Sequence, residues 1–459
     1  MLREKALIIK RIESEGIAHF SYLIGSKNES AVIDPRRDCQ EYLNIAKREE
    51  LEIRCIFETH RNEDYVIGSL ELANITGAKI YHGSRLDWKY GENINDGQKF
   101  QIGDLKLTAL HTPGHTDEST SYVLSDLSSE DTALMVFTGD ILFIGDVGRT
   151  DLYGPEETVR LAGELYESIF NKILPLGDEV ILYPAHGAGS VCGGAISERK
   201  QSTIGLERKL NPLLQKNKND FIKFKIDEQY ERPPYFDKME QYNLNGPPLM
   251  NQLSNPTPLT SKEFKTKIDK GALVIDTRMP PAFSAAHIKG SYNIWLQGVP
   301  TFSGWALPYD KPILLLLEEP EHLEKVVQYL IRLGFDKIEG YLKGGIEAWY
   351  NEALPIEQIS LLTVQELKNQ LDKNLTVLDV REENEWIKGH LHGAIHIYVG
   401  QLQKRINEVP KDQPVAILCS VGNRASLGAS ILKRENYQNV YTVLGSMNAW
   451  NAAGYPIQI

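Results

Sequence analysis

The feature that most constrains the fold is an internal repeat in the second half of this 459-residue chain. The segment LVIDTRMPPAFSAAHIKGSYNI (273–294) aligns with TVLDVREENEWIKGHLHGAIHI (376–397). Three polar residues of the first segment recur 103 residues later in the second: Asp276, Arg278 and His287 correspond to Asp379, Arg381 and His390. A unit of about 100 residues that occurs only twice indicates a duplicated domain rather than a solenoid.

Each copy alternates short β-branched runs with amphipathic stretches. This alternation predicts a small parallel α/β sheet with helices on both faces. We therefore expect one α/β domain over residues 259–357 and a second over residues 358–459, called the first and the second repeat below.

The first half of the chain shows a different pattern, in which short apolar runs end at His and Asp residues. The four runs are RCIFETH (54–60), LKLTALHTPGH (105–115), ALMVFTGD (133–140) and EVILYPAHG (179–187). A single histidine of this kind is usually an ordinary packed residue, but four such strand ends in one domain indicate a metal site. The candidate ligands are His60, Asp64, His115, Asp140 and His186.

Composition limits the partners and the compartment. The net charge of −12 argues against nucleic acid or an anionic membrane as the main partner. No apolar run approaches the ~20 residues of a membrane helix, and the N-terminal stretch lacks a signal-peptide cleavage site. The four cysteines are scattered, so we expect no disulfide framework and a cytoplasmic location. Residues 1–210 are predicted to form the first domain, and residues 211–258, rich in Asn, Lys and Pro, a linker over domain surfaces.

The elements TPGHT (112–116) and TGD (138–140), at this spacing from the first histidine motif, resemble the metallo-β-lactamase superfamily over residues 1–200. The resemblance implies a four-layer αββα sandwich, a mixed α+β architecture, ahead of the two parallel α/β domains.

The first motif departs from the HxHxDH pattern of that superfamily, because Asn62 and Tyr65 replace two histidines. Two tightly held zinc ions are therefore not expected. The persulfide dioxygenase branch uses one Fe(II), whose ligand positions correspond to His60, His115 and Asp140, with Asp64 and His186 as further candidates. Two imidazoles and one carboxylate suit Fe(II) and O₂. The open alternatives are a metal-free domain and a mononuclear zinc thioester hydrolase of the glyoxalase II type.

Further residues are assigned through the same resemblance. Arg149 and Asp151 match a GRTD element, which implies that Arg149 holds a carboxylate of the thiol carrier. The alternative is a salt bridge from Arg149 to a neighbouring aspartate. Cys192 lies among small residues, so we expect an accessible thiol that carries sulfur near the iron, or else a packed one. Cys39 and Cys55 are expected to be buried.

The second repeat carries a thiol at the start of a predicted helix, in VAILCSVGNRASLGASILKR (415–434). Backbone N–H groups and the helix dipole there favour the thiolate of Cys419 and bind anions. Arg424 adds positive charge, and Gly422 permits a tight turn. A cysteine that only packs in a core needs none of these surroundings.

This loop, with the repeat around it, resembles the rhodanese family over about 100 residues. Four residues separate Cys419 from Arg424, the short loop of rhodanese sulfurtransferases; the related phosphatases have one more. The resemblance implies sulfur transfer, with Ser420, Gly422 and Asn423 at the substrate and the repeated Asp, Arg and His residues as framework.

The first repeat lacks the thiol. The alignment of residues 311–322 with 413–424 puts Leu317 at the cysteine position, and three acidic residues follow: Glu318, Glu319 and Glu321. Their charge would repel an anionic persulfide or sulfite. We predict that the first repeat is a non-catalytic spacer or docking domain.

The combined resemblance to persulfide dioxygenase–rhodanese fusions implies a two-step enzyme. Glutathione, cysteine or coenzyme A persulfide would be oxidised with O₂ to sulfite, which Cys419 would convert to thiosulfate. The alternative is a rhodanese-type sulfurtransferase whose first domain is degenerate and binds no metal. Homo-oligomers are expected from relatives with this architecture.

Overall fold

A computed structural model describes residues 7–128, 131–228, 230–371 and 373–459. The chain divides into two compact units, Met1–Gln252 with Ile331–Gly334, and Leu253–Leu330 with Phe335–Ile459. Residues 1–6, part of the N-terminal stretch considered above, lie outside the described residues. Within the described ranges, no helix is both long enough and apolar enough to span a bilayer.

The first unit contains two six-stranded sheets of mixed strand direction. The first sheet consists of β1 (Ile8–Ser14), β2 (His19–Ser26), β3 (Glu29–Ile33), β4 (Glu52–Phe57), β5 (Lys79–Gly83) and β6 (Glu92–Ile94). The second has the order β12–β11–β10–β9–β8–β7 and consists of β7 (Lys99–Ile102), β8 (Leu105–His111), β9 (Thr120–Asp126), β10 (Ala133–Gly139), β11 (Ile181–Pro184) and β12 (Ser202–Thr203).

Three apolar cores place these sheets in layers. Side chains from both sheets, such as Tyr22, Phe57 and Tyr122, share one core, so the sheets pack face to face. A second core joins the first sheet to the first two helices of the unit. A third core joins the second sheet to the next three helices and to the π-helical turn at residues 169–173. The helices of this unit are α1 (Gln40–Arg48), α2 (Ser69–Thr76), α3 (Pro155–Ser168), α4 (Ile204–Leu210), α5 (Lys218–Asp227) and α6 (Phe236–Asn245). The predicted αββα sandwich is confirmed.

The segment after residue 210 contributes directly to the first unit. Helix α6 carries the buried Asn243, whose side-chain oxygen accepts a hydrogen bond from the Ile67 amide (2.9 Å). Its side-chain nitrogen donates to the carbonyls of Asn62 (2.6 Å) and Tyr65 (2.8 Å). Three hydrogen bonds from one amide thus fix the loop that carries the first histidine motif.

The second unit contains two five-stranded parallel sheets with the same strand order. The first repeat contains β13 (Thr257–Leu259), α7 (Ser261–Asp269), β14 (Leu273–Asp276), α8 (Pro280–Ala285), β15 (His287–Ile288), β16 (Tyr292–Asn293), α9 (Val299–Ala306), β17 (Ile313–Leu316), α10 (Leu323–Arg332), β18 (Ile338–Leu342), α11 (Gly345–Asn351) and β19 (Ile356–Glu357). The second contains β20 (Ser360–Leu362), α12 (Val364–Lys368), β21 (Thr376–Asp379), α13 (Glu383–Trp386), β22 (Ile395–His396), β23 (Val415–Leu418), α14 (Asn423–Arg434), β24 (Val440–Val443) and α15 (Ser446–Ala452). The predicted parallel α/β sheets are confirmed.

A buried ion pair recurs at the same place in both repeats. In the second repeat Arg381 donates to Asp379 from Nε (2.9 Å) and Nη2 (2.6 Å), and Nη2 also donates to the Gly389 carbonyl (2.9 Å). In the first repeat the corresponding Arg278 bonds to Asp276 with matching distances of 2.9 and 2.6 Å. Each pair ties the end of a central strand to the loop that follows.

The repeated histidine is also structural. His390 stacks on Trp386 with ring centroids 3.6 Å apart, and its Nδ1 lies 3.1 Å from the Trp386 carbonyl oxygen. His287 stacks on Phe283 at 4.0 Å and bonds to the carbonyl of that residue at 3.0 Å. The repeated Asp, Arg and His residues therefore have framework contacts in both copies.

Removal of one carboxylate should test how much the ion pair stabilises the domain. In Asp379→Asn, Arg381 stays buried without its counter-charge, which should cost about 3 kcal/mol of unfolding free energy. The measurement is denaturant unfolding of the full chain. The exposed Asp412→Asn is the matched control and should change stability by less than about 0.5 kcal/mol. A loss below about 1 kcal/mol in Asp379→Asn would contradict the framework role.

Candidate metal centre and sulfur-transfer loop

Three of the predicted ligands converge at one point of the first unit. His60 follows β4, His115 follows β8 in the chain, and Asp140 immediately follows β10. All three side chains are at most 1% exposed. Asp140 Oδ2 lies 3.7 Å from His60 Nε2 and 3.6 Å from His115 Nε2. Close backbone packing is required here, since a Cβ at Gly148 would lie 1.9 Å from the Asp140 carbonyl oxygen.

The other nitrogen of each imidazole is held by the protein. His60 Nδ1 lies 2.8 Å from the Thr59 hydroxyl, and Thr59 in turn donates to Asp34 from its N–H and O–H groups (both 2.8 Å). His115 Nδ1 lies 2.9 Å from the carbonyl oxygen of Arg149. Such contacts fix the orientation and tautomer of a metal-binding histidine, and they leave both Nε2 atoms facing the centre.

The atoms that face each other have no other partner. His60 Nε2, His115 Nε2 and Asp140 Oδ2 are buried and have no hydrogen-bond partner within the described part of the chain. Two ligand atoms bound to one ion at about 2.1 Å lie roughly 3.0 to 3.4 Å apart, slightly less than the 3.6 and 3.7 Å measured here. The donor set therefore fits one divalent metal ion.

A second buried group lies beside the first and consists of Asp64, His186 and Cys192. The His186 ring lies between two carboxylates, with Nδ1 2.7 Å from Asp140 Oδ1 and Nε2 2.9 Å from Asp64 Oδ2. Burial alone would lower the pKa of His186, but these two carboxylates raise it well above its usual value. The raised pKa favours the protonated form of the His186 imidazole beside these two carboxylates.

Tyr65, which replaces a histidine of the superfamily motif, fills space. Its ring packs on His19 with centroids 3.9 Å apart, and its hydroxyl points at the Asp34 carbonyl oxygen (3.5 Å).

Of the two alternatives for Cys192, the packed thiol agrees with the structure, because this residue is only 1% exposed. Burial, with the nearby Asp64 carboxylate, raises the pKa of the thiol well above its usual value. The Cys192 carbonyl accepts a hydrogen bond from the Arg149 amide (3.1 Å), which holds the Gly-rich turn against the centre. The Cys192 sulfur lies within 4.8 Å of ligand atoms of Asp64 and His186, and a sulfur-carrying role stays a prediction.

Arg149 adopts the alternative named above, a salt bridge to Asp151. Its Nε and Nη2 donate to the Asp151 carboxylate at 2.6 and 2.8 Å, and Nη1 donates to the Val191 carbonyl (3.2 Å). The guanidinium also lies 4.9 Å from the ring centre of Tyr230. Because Arg149 is 1% exposed and bonded at all three nitrogens, the implied contact with a substrate carboxylate does not fit this geometry. The pair instead fixes the turn whose carbonyl orients His115.

In the second repeat, Cys419 follows β23 and precedes α14, as predicted. The Gly422 N–H donates to the Cys419 sulfur (3.0 Å), and the Cys419 N–H donates to the Ser446 hydroxyl (3.2 Å). Gly422 has a φ of +114°, a conformation that favours glycine, and Asn423 begins the helix. The sulfur thus lies at the N-terminus of a 12-residue helix.

Glu385, on α13, contacts this loop and was not identified from the sequence. Its carboxylate accepts hydrogen bonds from Arg424 Nη1 (2.6 Å), Arg424 Nη2 (2.8 Å) and the Ser420 hydroxyl (2.6 Å). Burial would raise the Glu385 pKa, but Arg424 and Ser420 lower it to about 2. A signal was present in the sequence: the corresponding position of the first repeat, which lacks the thiol, is Ala282.

The strand register places Leu317 at the cysteine position. Asp276 pairs with Leu316 in the first repeat, and Asp379 pairs with Leu418 in the second. The residues that follow these strand ends, Leu317 and Cys419, are therefore equivalent. The first repeat thus presents an aliphatic side chain where the second presents a thiol.

Comparison with known families agrees with the division of the chain into one N-terminal domain and two repeats. Residues 15–186 match the metallo-β-lactamase superfamily, and residues 260–352 and 363–453 each match the rhodanese-like domain.

Individual relatives cover different parts of the chain. The mitochondrial persulfide dioxygenase ETHE1 of Bos taurus is 31% identical over 231 residues, 48% of this chain and 80% of that protein. The Homo sapiens protein of the same name is 31% identical over 228 residues, with the same coverage. A solved structure described as a metallo-β-lactamase from Staphylococcus aureus subsp. aureus COL superposes with a TM-score of 0.66 and 31% identity, over 73% of this chain and 99% of that one.

Neutralising Glu385 should strengthen anion binding at the thiol loop. In Glu385→Gln the charge of Arg424 is no longer balanced, which should favour an anionic sulfur donor by about 1 kcal/mol, or roughly fivefold. We expect the KM for thiosulfate, with cyanide as acceptor, to fall by that factor while kcat changes little.

The matched control is Glu383→Gln on the same helix, where the side chain is 71% exposed. Its KM should not change. An increased KM in Glu385→Gln would show that the carboxylate acts mainly by positioning Arg424.

Proposed function

We propose that this chain, which belongs to the persulfide dioxygenase–rhodanese fusions of the metallo-β-lactamase superfamily, oxidises low-molecular-weight persulfides and converts the sulfite formed to thiosulfate. The persulfides would be those of glutathione, cysteine or coenzyme A. The first unit would carry the oxidation and the second repeat the sulfur transfer. Self-association remains an expectation from relatives with this architecture.

The observation that carries the first step is the set of three buried, unpaired atoms on His60, His115 and Asp140. Two imidazoles and one carboxylate leave positions open for other ligands, the arrangement suited to Fe(II) in oxygen-dependent enzymes. When bound, iron supplies the redox chemistry that joins O₂ to the terminal sulfur. The protein orients both imidazoles through Thr59 and the Arg149 carbonyl and keeps bulk water away by burial.

One ion accounts for the centre better than two. The His186 ring lies between Asp140 and Asp64, and within the described residues only its Nδ1 makes a hydrogen bond, to Asp140 Oδ1 (2.7 Å). The buried thiol of Cys192 would have to lose its proton to serve as a ligand. A second ion at this group therefore requires the loss of a thiol proton, which the first centre does not.

The proposed oxidation consumes one persulfide, one O₂ and one water, and it releases one thiol, one sulfite and two protons. The terminal sulfur is oxidised and O₂ is reduced.

The transfer step uses a second persulfide. Its terminal sulfur passes to Cys419, which releases the carrier thiol, and sulfite then attacks the outer sulfur to give thiosulfate and the free Cys419 thiolate. The Gly422 N–H and the N-terminus of α14 would stabilise negative charge on these sulfur atoms. Arg424 lies beside the loop to attract the sulfite dianion, with its charge moderated by Glu385.

Oxygen uptake tests the first step directly. The Fe(II)-reconstituted protein should consume O₂ when glutathione persulfide is added, and Asp140→Ala should abolish uptake, because it removes the carboxylate ligand. If the protein consumes no O₂ but still transfers sulfur, the result would favour a first domain that is catalytically inactive. Hydrolysis of S-acylglutathione without O₂ consumption, in protein that contains zinc, would favour the thioester hydrolase.

If oxidation occurs in the first unit and sulfur transfer at Cys419, the Cys419→Ser variant should form a different product. This variant should consume O₂ at about the wild-type rate but release sulfite instead of thiosulfate, because the sulfur acceptor is missing. Both anions are measured by chromatography after bimane derivatisation, with Cys55→Ser as the control for loss of a thiol away from both sites. Unchanged thiosulfate from Cys419→Ser would refute the assignment.

A further inference from the structure

We infer that Glu63 is an additional protein ligand of the metal ion, so that the centre has two imidazoles and two carboxylates. This inference rests on the proposed metal centre at His60, His115 and Asp140, and it adds a residue that the motif does not predict. The motif comparison draws attention to Asn62, the residue at the position of a missing histidine.

The distances place Glu63 and Asp140 around the same pair of nitrogens. Glu63 Oε2 lies 3.5 Å from His115 Nε2 and 3.9 Å from His60 Nε2. The corresponding distances from Asp140 Oδ2 are 3.6 and 3.7 Å. The two carboxylates therefore face the two imidazoles at nearly equal range. An ion coordinated by these two Nε2 atoms would therefore lie near Glu63 Oε2 as well as near Asp140 Oδ2.

The surroundings of Glu63 otherwise leave its charge poorly compensated. The side chain is fully buried, and neither carboxylate oxygen has a hydrogen-bond partner among the residues that the structure describes. The nearest guanidinium, that of Arg61, lies 3.7 Å from Oε1 and is shared with Glu240 at 3.4 Å. A buried carboxylate without hydrogen bonds is costly unless a cation neutralises it.

The local backbone explains why residue 63, and not residue 62, faces the centre. The Asn62 N–H and the Asn62 side-chain nitrogen both donate to the His60 carbonyl, each at 3.1 Å. The side chain of Asn62 is thereby directed to its own turn. The Asn62 carbonyl is held from the other side by Asn243 (2.6 Å), which fixes the turn between His60 and Glu63.

A fourth ligand changes the character of the centre in a measurable way. Two carboxylates balance the charge of a divalent ion, and a further oxygen donor favours the harder ions such as Fe(II) and Mn(II). It also leaves one fewer coordination position for substrate and oxygen. Loss of Glu63 should therefore weaken metal binding and alter the ligand field, even in the absence of substrate.

The test is Co(II) binding to the full-length, metal-depleted protein, because Co(II) reports its coordination by visible absorption. Wild type, Glu63→Gln and Glu58→Gln would be titrated in competition with a chelator. Glu58 is the matched control, since it is also a buried carboxyl but bonds to the Tyr90 hydroxyl (3.0 and 3.1 Å) away from the centre. We expect at least a tenfold loss of affinity and a changed spectrum in Glu63→Gln only.

The outcomes separate this inference from the proposed function. Equal affinity and an unchanged spectrum in folded Glu63→Gln would refute the role of Glu63 and leave the three-ligand centre standing. Failure of the wild type to bind Co(II), Fe(II) or Zn(II) would refute both. If Glu63→Gln does not fold, a crystal structure of the Co(II)-loaded wild type decides. Glu63 Oε2 within about 2.3 Å of the ion supports the inference, and a distance beyond about 3 Å overturns it.

Discussion

Buried negative charge is the constraint on which the first unit depends. Glu63, Asp64 and Asp140 are all at most 1% exposed and lie among three buried histidines. Carboxylates in such a place need positive charge within a few ångströms, because desolvation otherwise costs several kcal/mol for each ion. His186 lies between Asp64 and Asp140, which raise its pKa, and a divalent ion held by His60, His115 and Asp140 would supply further positive charge. Burial would raise the pKa of Asp140, but His186 and His60 hold it well below its usual range.

The surrounding structure serves to hold these charges in place. Loops after separate strands bring the ligands together, while neighbouring polar groups orient them through Thr59, the Arg149 carbonyl and Asn243. Arg149 belongs to this supporting layer, since its bond to Asp151 fixes the turn that carries the carbonyl facing His115. A substitution in this layer should therefore alter metal binding without removing any ligand.

The sequence predicted those parts of the structure that depend on repeated or regularly spaced residues. The duplicated framework and the convergence of His60, His115 and Asp140 are of this kind, because each residue lies at a strand end whose direction follows from the fold. The burial of Cys192 was not predictable, since small neighbours are compatible with either exposure or burial. Glu63 and Glu385 were missed for other reasons. Glu63 lies between the defined positions of a motif, where its charge carries no meaning until its contacts are known. Glu385 lies far from Cys419 in the sequence, and only its difference from Ala282 in the first repeat could have indicated it.

The two repeats show how a framework and its chemistry separate. Both copies keep the Asp–Arg pair and the stacked histidine, so both need the same internal support for a parallel sheet. Only the second copy has the thiol, the Arg424 charge and the balancing Glu385. The first copy lacks both the thiol and the acidic partner, with Leu317 and Ala282 at the corresponding positions. The thiol and its charged neighbours are thus absent together from the first repeat, while the framework of the domain is kept. Under the proposed function, the single chain tethers this thiol to the unit that would form sulfite, which would raise the effective concentration of sulfite at Cys419.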